Sequence, residues 1–186
     1  AYLEQPYRHR PDWRGELLWE PERFNELCAA LDRERLQIHV HSIGDAAVRM
    51  ALDAYEHAAK VNGPRDRRHR IEHIETIDKA DIGRFARLGA VASMMPIHAD
   101  PSSVEVWSRA AGEARLPLAF AWRSLEKAGA RLVFSSDWPA SRPLPRVCDA
   151  TRYTPSCRAA WTVEAMFPLP VACEKRVKPS VIAWLN

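Results

Sequence analysis

The chain has 186 residues, of which 47% are hydrophobic, and a formal net charge of +3. This length and apolar content suffice for one domain with a buried core, but a complete eight-stranded α/β barrel usually needs about 250 residues. A small net charge with interspersed acidic and basic residues argues against nucleic acid as a partner. No apolar run approaches the roughly 18 residues of a membrane span, and no signal peptide is recognisable, so we expect no membrane partner.

The first half of the chain alternates between helical and extended patterns. Pro21 stands where a first-turn proline belongs, and apolar residues at helical spacing predict a helix over 21–34, after a surface loop over 1–20. The apolar run 36–41 predicts a strand. Asp45 can cap a second helix, which Asn62 and the Gly-Pro pair after it would end.

The same alternation continues to residue 136. In chain order, the pattern predicts a strand over 69–73, a helix from an Asp78 cap to Gly89, a strand over 90–95, helices near 103–112 and over 120–128, and a strand over 131–136. Four strands alternating with helices predict a parallel α/β architecture. From about residue 142 the periodicity fails and prolines recur, which predicts an irregular C-terminal tail.

The four cysteines do not form C-x-x-C pairs, which argues against a cysteine-rich zinc site. We expect free thiols in a reducing compartment, and therefore a cytoplasmic protein. The sequence does not exclude one disulfide among the last three cysteines. The cysteines are Cys28, Cys148, Cys157 and Cys173.

Three polar residues stand at the downstream ends of predicted strands: His41, His73 and Asp137. Parallel strands of a barrel end at the same rim, and His and Asp side chains are ligands that zinc accepts. The pattern therefore indicates a metal site. Taken singly, each histidine could instead be a packed side chain bonded to the backbone, and Asp137 could cap the turn at Trp138.

Other polar residues near these strands allow weaker inferences. His39 lies two residues before His41 and shares its side of the strand, but farther from the rim. We expect Glu72 to point toward the covering helices and His69 to lie at the far end of its strand. His98 follows Pro96 in a rim loop, where it could contact substrate or solvent.

These residues, taken together, resemble the amidohydrolase superfamily, and within it the bacterial branch that includes N-substituted formamide deformylase. The resemblance covers residues 1–147, and five segments match in order and spacing. They are Gly15–Leu18 with Pro21-Glu22, His41–Val48, Arg68–His73, Ala92–Pro96 and Ser136–Pro139.

The resemblance implies strands five to eight of a partial (β/α)8 TIM barrel, with residues 148–186 as a divergent tail. It makes His41 the strand-five ligand, His73 the strand-six ligand, and Asp137 the strand-eight metal neighbour that also shuttles the catalytic proton. His98 and Trp138 become expected substrate contacts. The cofactor would be one or two divalent metal ions, commonly zinc. The His39-Val40-His41 triplet looks like the family's first-strand H-x-H pair, but too few strands follow it.

The expected function is hydrolysis of a non-peptide C–N bond in a small molecule by metal-activated water. Strands one to four have no counterpart here, so we expect little activity from this chain alone. One alternative is a non-catalytic half-barrel that folds by self-association, since open sheet edges favour a homo-oligomer. Another is a deaminase of the same superfamily, although Gly44-Asp45 replaces the glutamate expected near His41.

Overall fold

Helices and strands alternate along most of the chain. The computed structural model describes residues 1–135, Asp137 and the backbone of 180–185. In this part, the helices are α1 Pro21–Arg33, α2 Asp45–Asn62, α3 Lys79–Leu88, α4 Pro101–Ala111 and α5 Trp122–Lys127. The strands are β1 Gln37–Ser42, β2 Arg70–His73, β3 Val91–Met94, β4 Arg131–Phe134 and β5 Ser180–Leu185, and short 3-10 helices span Pro96–Ala99 and Glu113–Leu118.

The strands form one parallel sheet in the order β4-β3-β2-β1-β5. Consecutive strands from β1 to β4 are neighbours joined through helices, which is how a parallel α/β barrel is wound. The four predicted strands are thus confirmed, each within about two residues. β5 lies in the region for which the sequence predicts an irregular tail, and it pairs with β1. Trp138 and most of that tail lie outside the described residues.

The core lies between one face of the sheet and the helices. Along β1, Ile38, Val40 and Ser42 are buried, whereas the residues between them are only partly covered. This alternation is the period of two expected for a strand that packs on one side. α2 contributes a buried face in which four of the eight residues are alanine. No described helix combines the length and apolar character that crossing a membrane would require.

The helix ends show which capping predictions hold. Asp78 accepts a hydrogen bond from the Ala80 N–H at 2.7 Å, and Gly89 ends α3 in the left-handed region with φ 64°, both as predicted. The prediction of Asp45 as a cap is wrong, because α2 already begins at Asp45. Its carboxylate instead accepts from the N–H of Glu4 at 2.9 Å, which ties the N-terminal segment to α2.

The N-terminal segment is built into the domain more firmly than the predicted surface loop. Leu3 is completely buried, and the Ala47 N–H donates to the Tyr2 carbonyl at 3.3 Å. Tyr2 crosses so near Gly44 that an added Cβ would lie 1.9 Å from the Tyr2 carbonyl oxygen. The absence of a side chain at Gly44 therefore permits this crossing.

His69 lies directly before β2, at the end of the sheet opposite the carboxyl ends of the strands, as predicted. It is 2% exposed, its Nδ1 accepts from the Ile38 N–H at 3.2 Å, and its Nε2 lies 3.2 Å from Asp32 Oδ1. Asn62 and Arg65 also donate to the buried Asp32 carboxylate. Burial lowers the pKa of His69 to about 4. His69 therefore has a structural role in joining α1 to β2.

We predict that His69 makes folding sensitive to mild acid. Its pKa is about 4 in the folded chain against 6.5 when exposed. Because the unfolded state binds the proton first, stability is lost as pH falls from 6.5 toward 4. The loss through this residue should reach about 3 kcal/mol. Urea unfolding of wild type and His69→Gln over this pH range should show a shallower decline for the variant, whereas the exposed His9→Gln control should keep the wild-type slope.

We also predict that Gly44→Ala destabilises the chain. The new methyl group must displace the Tyr2 backbone, and such overpacking typically costs about 1–3 kcal/mol. Gly83→Ala is the matched control, because a Cβ there meets nothing within 4 Å and alanine favours a helix interior. Urea midpoints should fall for Gly44→Ala and hold or rise for Gly83→Ala. Equal midpoints for Gly44→Ala and wild type would show that the crossing adapts freely.

Candidate metal centre

His41 and His73 stand side by side where β1 and β2 end. Their ring centroids are 4.2 Å apart, with 65° between the ring planes. Simple alternation would place His73 with its register partner Ser42, on the helix-facing side. Instead, His73 and Ile74 adopt left-handed backbone angles, φ 76° and φ 52°. We attribute the position of the His73 imidazole beside His41 to this local departure from strand geometry.

His98 and Asp137 complete the group at the same rim. His98 lies in the 3-10 helix that follows β3, and its ring is parallel to that of His73, with centroids 5.2 Å apart and 7° between the planes. His98 Nε2 is 3.6 Å from Asp137 Oδ2. The structure thus brings together four of the five predicted site residues, His41, His73, His98 and Asp137.

Glu75 is a member of this group that the sequence reasoning missed. Its Oε1 accepts a hydrogen bond from His98 Nδ1 at 2.8 Å. The nearest ligand atoms of His73, Glu75 and His98 all lie within 4.8 Å of one another. The signal in the sequence is a carboxylate two residues after a strand-end histidine. Because this residue lies in a loop, the alternation of a strand does not predict to which side its side chain points.

Burial decides the protonation of the central imidazole. His73 is 5% exposed, and among the described residues its Nδ1 has no hydrogen-bond partner. Burial lowers the pKa of His73, partly opposed by the negative charge of Asp137. The hydrogen bond that the His98 ring donates to Glu75 raises the pKa of His98, and burial partly opposes that rise. A neutral His73 is the form that binds a metal ion.

A polar layer lies just inside the rim, on the same face as His41. Glu72 is the register partner of His41, so the prediction that Glu72 points toward the helices is wrong. Arg70 donates to Glu72 Oε1 at 2.8 Å and to Ser93 Oγ at 2.7 Å. His39 Nδ1 lies 3.9 Å from Glu72 Oε1. These contacts link β1, β2 and β3 beneath the histidines and fix the spacing of the rim.

The residues at the rim fit a divalent metal ion. The donors are imidazole nitrogens and carboxylate oxygens, the set that zinc and related ions take in proteins. An unpartnered polar atom in a buried place is costly, and the Nδ1 of His73 is such an atom. A bound cation would compensate it.

The sequence of this chain is similar to those of known proteins. A family model described as the amidohydrolase family matches residues 1–147. The protein LONG AFTER FAR-RED 3 of Arabidopsis thaliana is 34% identical over 164 residues, which is 87% of this chain and 28% of that protein. The putative amidohydrolase YtcJ of Bacillus subtilis is 30% identical over 139 residues, 75% of this chain and 26% of that one. The chain thus spans less than a third of the length of these relatives.

Solved structures support the same fold. An uncharacterized metal-dependent hydrolase from Pyrococcus furiosus superposes with a TM-score of 0.69 at 30% identity, over 81% of this chain and 30% of that one. Its counterpart from Pyrococcus horikoshii gives a TM-score of 0.69 at 28% identity, over 81% and 29% of the two chains. The predicted α/β class with a partial barrel is confirmed. On these matches, this chain belongs to the amidohydrolase family.

Proposed function

We propose that this chain supplies the metal-binding rim of a hydrolase that cleaves a non-peptide C–N bond in a small molecule. The observation that carries the proposal is the pair His41 and His73, 4.2 Å apart between ring centroids at the carboxyl ends of neighbouring parallel strands. Barrel enzymes place their active sites at this end of the strands. The orphan Nδ1 of the buried His73 adds support for a bound cation.

His41, His73 and Asp137 are the residues that would hold the cation, and zinc is the best match to their chemistry. A divalent ion of this kind supplies a Lewis acid that polarises a carbonyl and lowers the pKa of water. The polar layer of His39, Arg70 and Glu72 would keep the strand ends at the spacing that the ligands need.

Asp137 is the residue that would move the proton. Its carboxylate is 32% exposed, so substrate can reach it, and its Oδ2 faces His98 Nε2 at 3.6 Å. In the proposed reaction, the Asp137 carboxylate oxygen that does not hold the cation takes a proton from the attacking water and releases it to the leaving nitrogen as the C–N bond breaks. His98 and Trp138 would contact the substrate; Trp138 lies outside the described residues.

The resemblance to N-substituted formamide deformylase supports a formamide or a related amide as the substrate class. The competing deaminase reaction has less support, because Gly44 and Asp45 stand where a deaminase would place its glutamate near the strand-five histidine. Self-association remains a prediction; β4 and β5 are the edges of the described sheet.

Metal content and turnover test the proposal together. We expect the purified chain to bind zinc, and His41→Asn and His73→Asn to lose more than about 100-fold in affinity, because even outer-shell partners carry about 10–100-fold. We expect slow, chelator-sensitive hydrolysis of N-formyl and N-acyl amines, absent in His73→Asn. Affinity is measured by competition with a chromophoric chelator, and turnover by amine release.

The exposed His9→Asn variant is the control for both measurements. It should retain the zinc affinity and the turnover of wild type. A folded wild-type chain that takes up no zinc would refute the metal-binding rim. Zinc binding without hydrolysis of any amide would refute the proposed reaction and leave only the binding site.

Titration of the histidines in the metal-free chain tests the electrostatics of the rim. We predict a pKa for His73 below its usual 6.5, and a further fall in Asp137→Asn, because the Asp137 charge raises the pKa of His73. Glu75→Gln should instead lower the pKa of His98, since the hydrogen bond to Glu75 is the main cause of its rise. NMR titration in the presence of a chelator measures both values. A higher pKa for His73 in Asp137→Asn would contradict this arrangement.

A further inference from the structure

His98 is held in one orientation by the residues around it. Its backbone N–H donates to the Met95 carbonyl at 3.1 Å, which fixes its place in the 3-10 helix after β3. Its Nδ1 donates to Glu75 Oε1 at 2.8 Å, and Glu75 is 14% exposed at the side chain. With Nδ1 bonded to the carboxylate, Nε2 is the nitrogen left to face the rim.

Glu75 is anchored in turn by its own backbone. Its carbonyl accepts from the Phe120 N–H at 2.9 Å, and the neighbouring Thr76 N–H donates to the Ile43 carbonyl at 3.1 Å. The loop after β2 is therefore tied to two other segments. A carboxylate held this firmly restricts the rotation of the imidazole that it contacts.

The free nitrogen of His98 lies where a ligand atom would lie. Its Nε2 is 3.6 Å from Asp137 Oδ2. Two ligand atoms that are each bonded to one zinc ion at about 2.0–2.2 Å lie about 3–3.5 Å apart. The His73 ring is stacked on the other side at 5.2 Å between centroids, and ligand atoms of the two histidines lie within 4.8 Å. Metal-binding histidines almost always donate their second ring N–H to a carboxylate or a carbonyl, as His98 does to Glu75.

From this geometry we propose that His98 is a further metal ligand, bound through Nε2, and that Glu75 is the positioning residue that holds it. The inference rests on the proposed function, since it adds a ligand to the same centre. It replaces the expected role of His98 as a substrate contact. The centre then draws on the loop after β3 as well as on the ends of β1 and β2.

Imidazole NMR on the full wild-type chain tests the assignment without relying on activity. The chain is labelled with ¹⁵N, and zinc is added stepwise. We expect Nε2 of His98 to shift on zinc binding while its Nδ1 keeps its proton, together with zinc-induced shifts of His41 and His73. Because wild type is observed directly, the result does not depend on whether any variant folds.

Zinc affinity of two variants gives the second measurement. His98→Asn should lose at least tenfold in affinity, and Glu75→Gln should lose about 10–100-fold, the usual effect of an orienting carboxylate. In Glu75→Gln the His98 Nε2 should still shift with zinc, but only at the higher zinc concentration. The matched controls are His9→Asn and the exposed Glu26→Gln, which should bind zinc like wild type.

The outcomes separate this inference from the proposed function. Zinc shifts at His41 and His73 with none at His98 would overturn the inference and leave the proposed centre standing. Shifts at His98 and His73, with His41→Asn and Asp137→Asn unchanged in affinity, would support the inference and overturn the proposed ligand set. No zinc-induced shift at any of the three histidines would overturn both.

Discussion

The register between β1 and β2 is the constraint on which the rim depends. The pairing of Val40 with Ile71 sets Ser42 opposite His73, and it places His41 beside Glu72. A slip of one residue would send every side chain of a strand to the other face. Ile38, Val40 and Ile71 are completely buried, so such a slip would expose the core. The hydrophobic packing of the helices on one face of the sheet therefore fixes the position of the polar residues at the ends of its strands.

Charge is distributed along the sheet in two separate groups. At one end, Asp32 is buried among arginines and His69 and serves the fold. At the other end, His73 is buried against His41 and His98 without enough partners of its own. In the first group, His69 Nε2 lies 3.2 Å from a buried carboxylate that Asn62 and Arg65 also contact, whereas in the second the Nδ1 of His73 has no hydrogen-bond partner among the described residues. Burial alone does not distinguish the two groups, since His69 and His73 are about equally buried.

The sequence predicted the alternation of elements because hydrophobic periodicity and helix caps are local signals, as at Pro21, Asp78 and Gly89. It placed His41 and His73 together because parallel strands end at one rim. It failed at Glu72, whose direction depends on the register with His41 rather than on its own strand. It missed Glu75, whose direction is set by contacts with Phe120 and His98 that are distant along the chain. It also missed β5, since the prolines that precede this short apolar run interrupt the alternation of helical and extended patterns.

The left-handed pair His73 and Ile74 has a consequence for how this protein can change over time. A β-branched residue at φ 52° is energetically disfavoured, at an expense of order 1–3 kcal/mol that the surrounding packing must outweigh. Glycine would accept this backbone angle without strain, but Ile74 is completely buried, and loss of its side chain from the core would cost about 2–5 kcal/mol. Evolution therefore has no easy escape from the bend that aims the neighbouring imidazole, and durability and cation capture favour the same residue at this position.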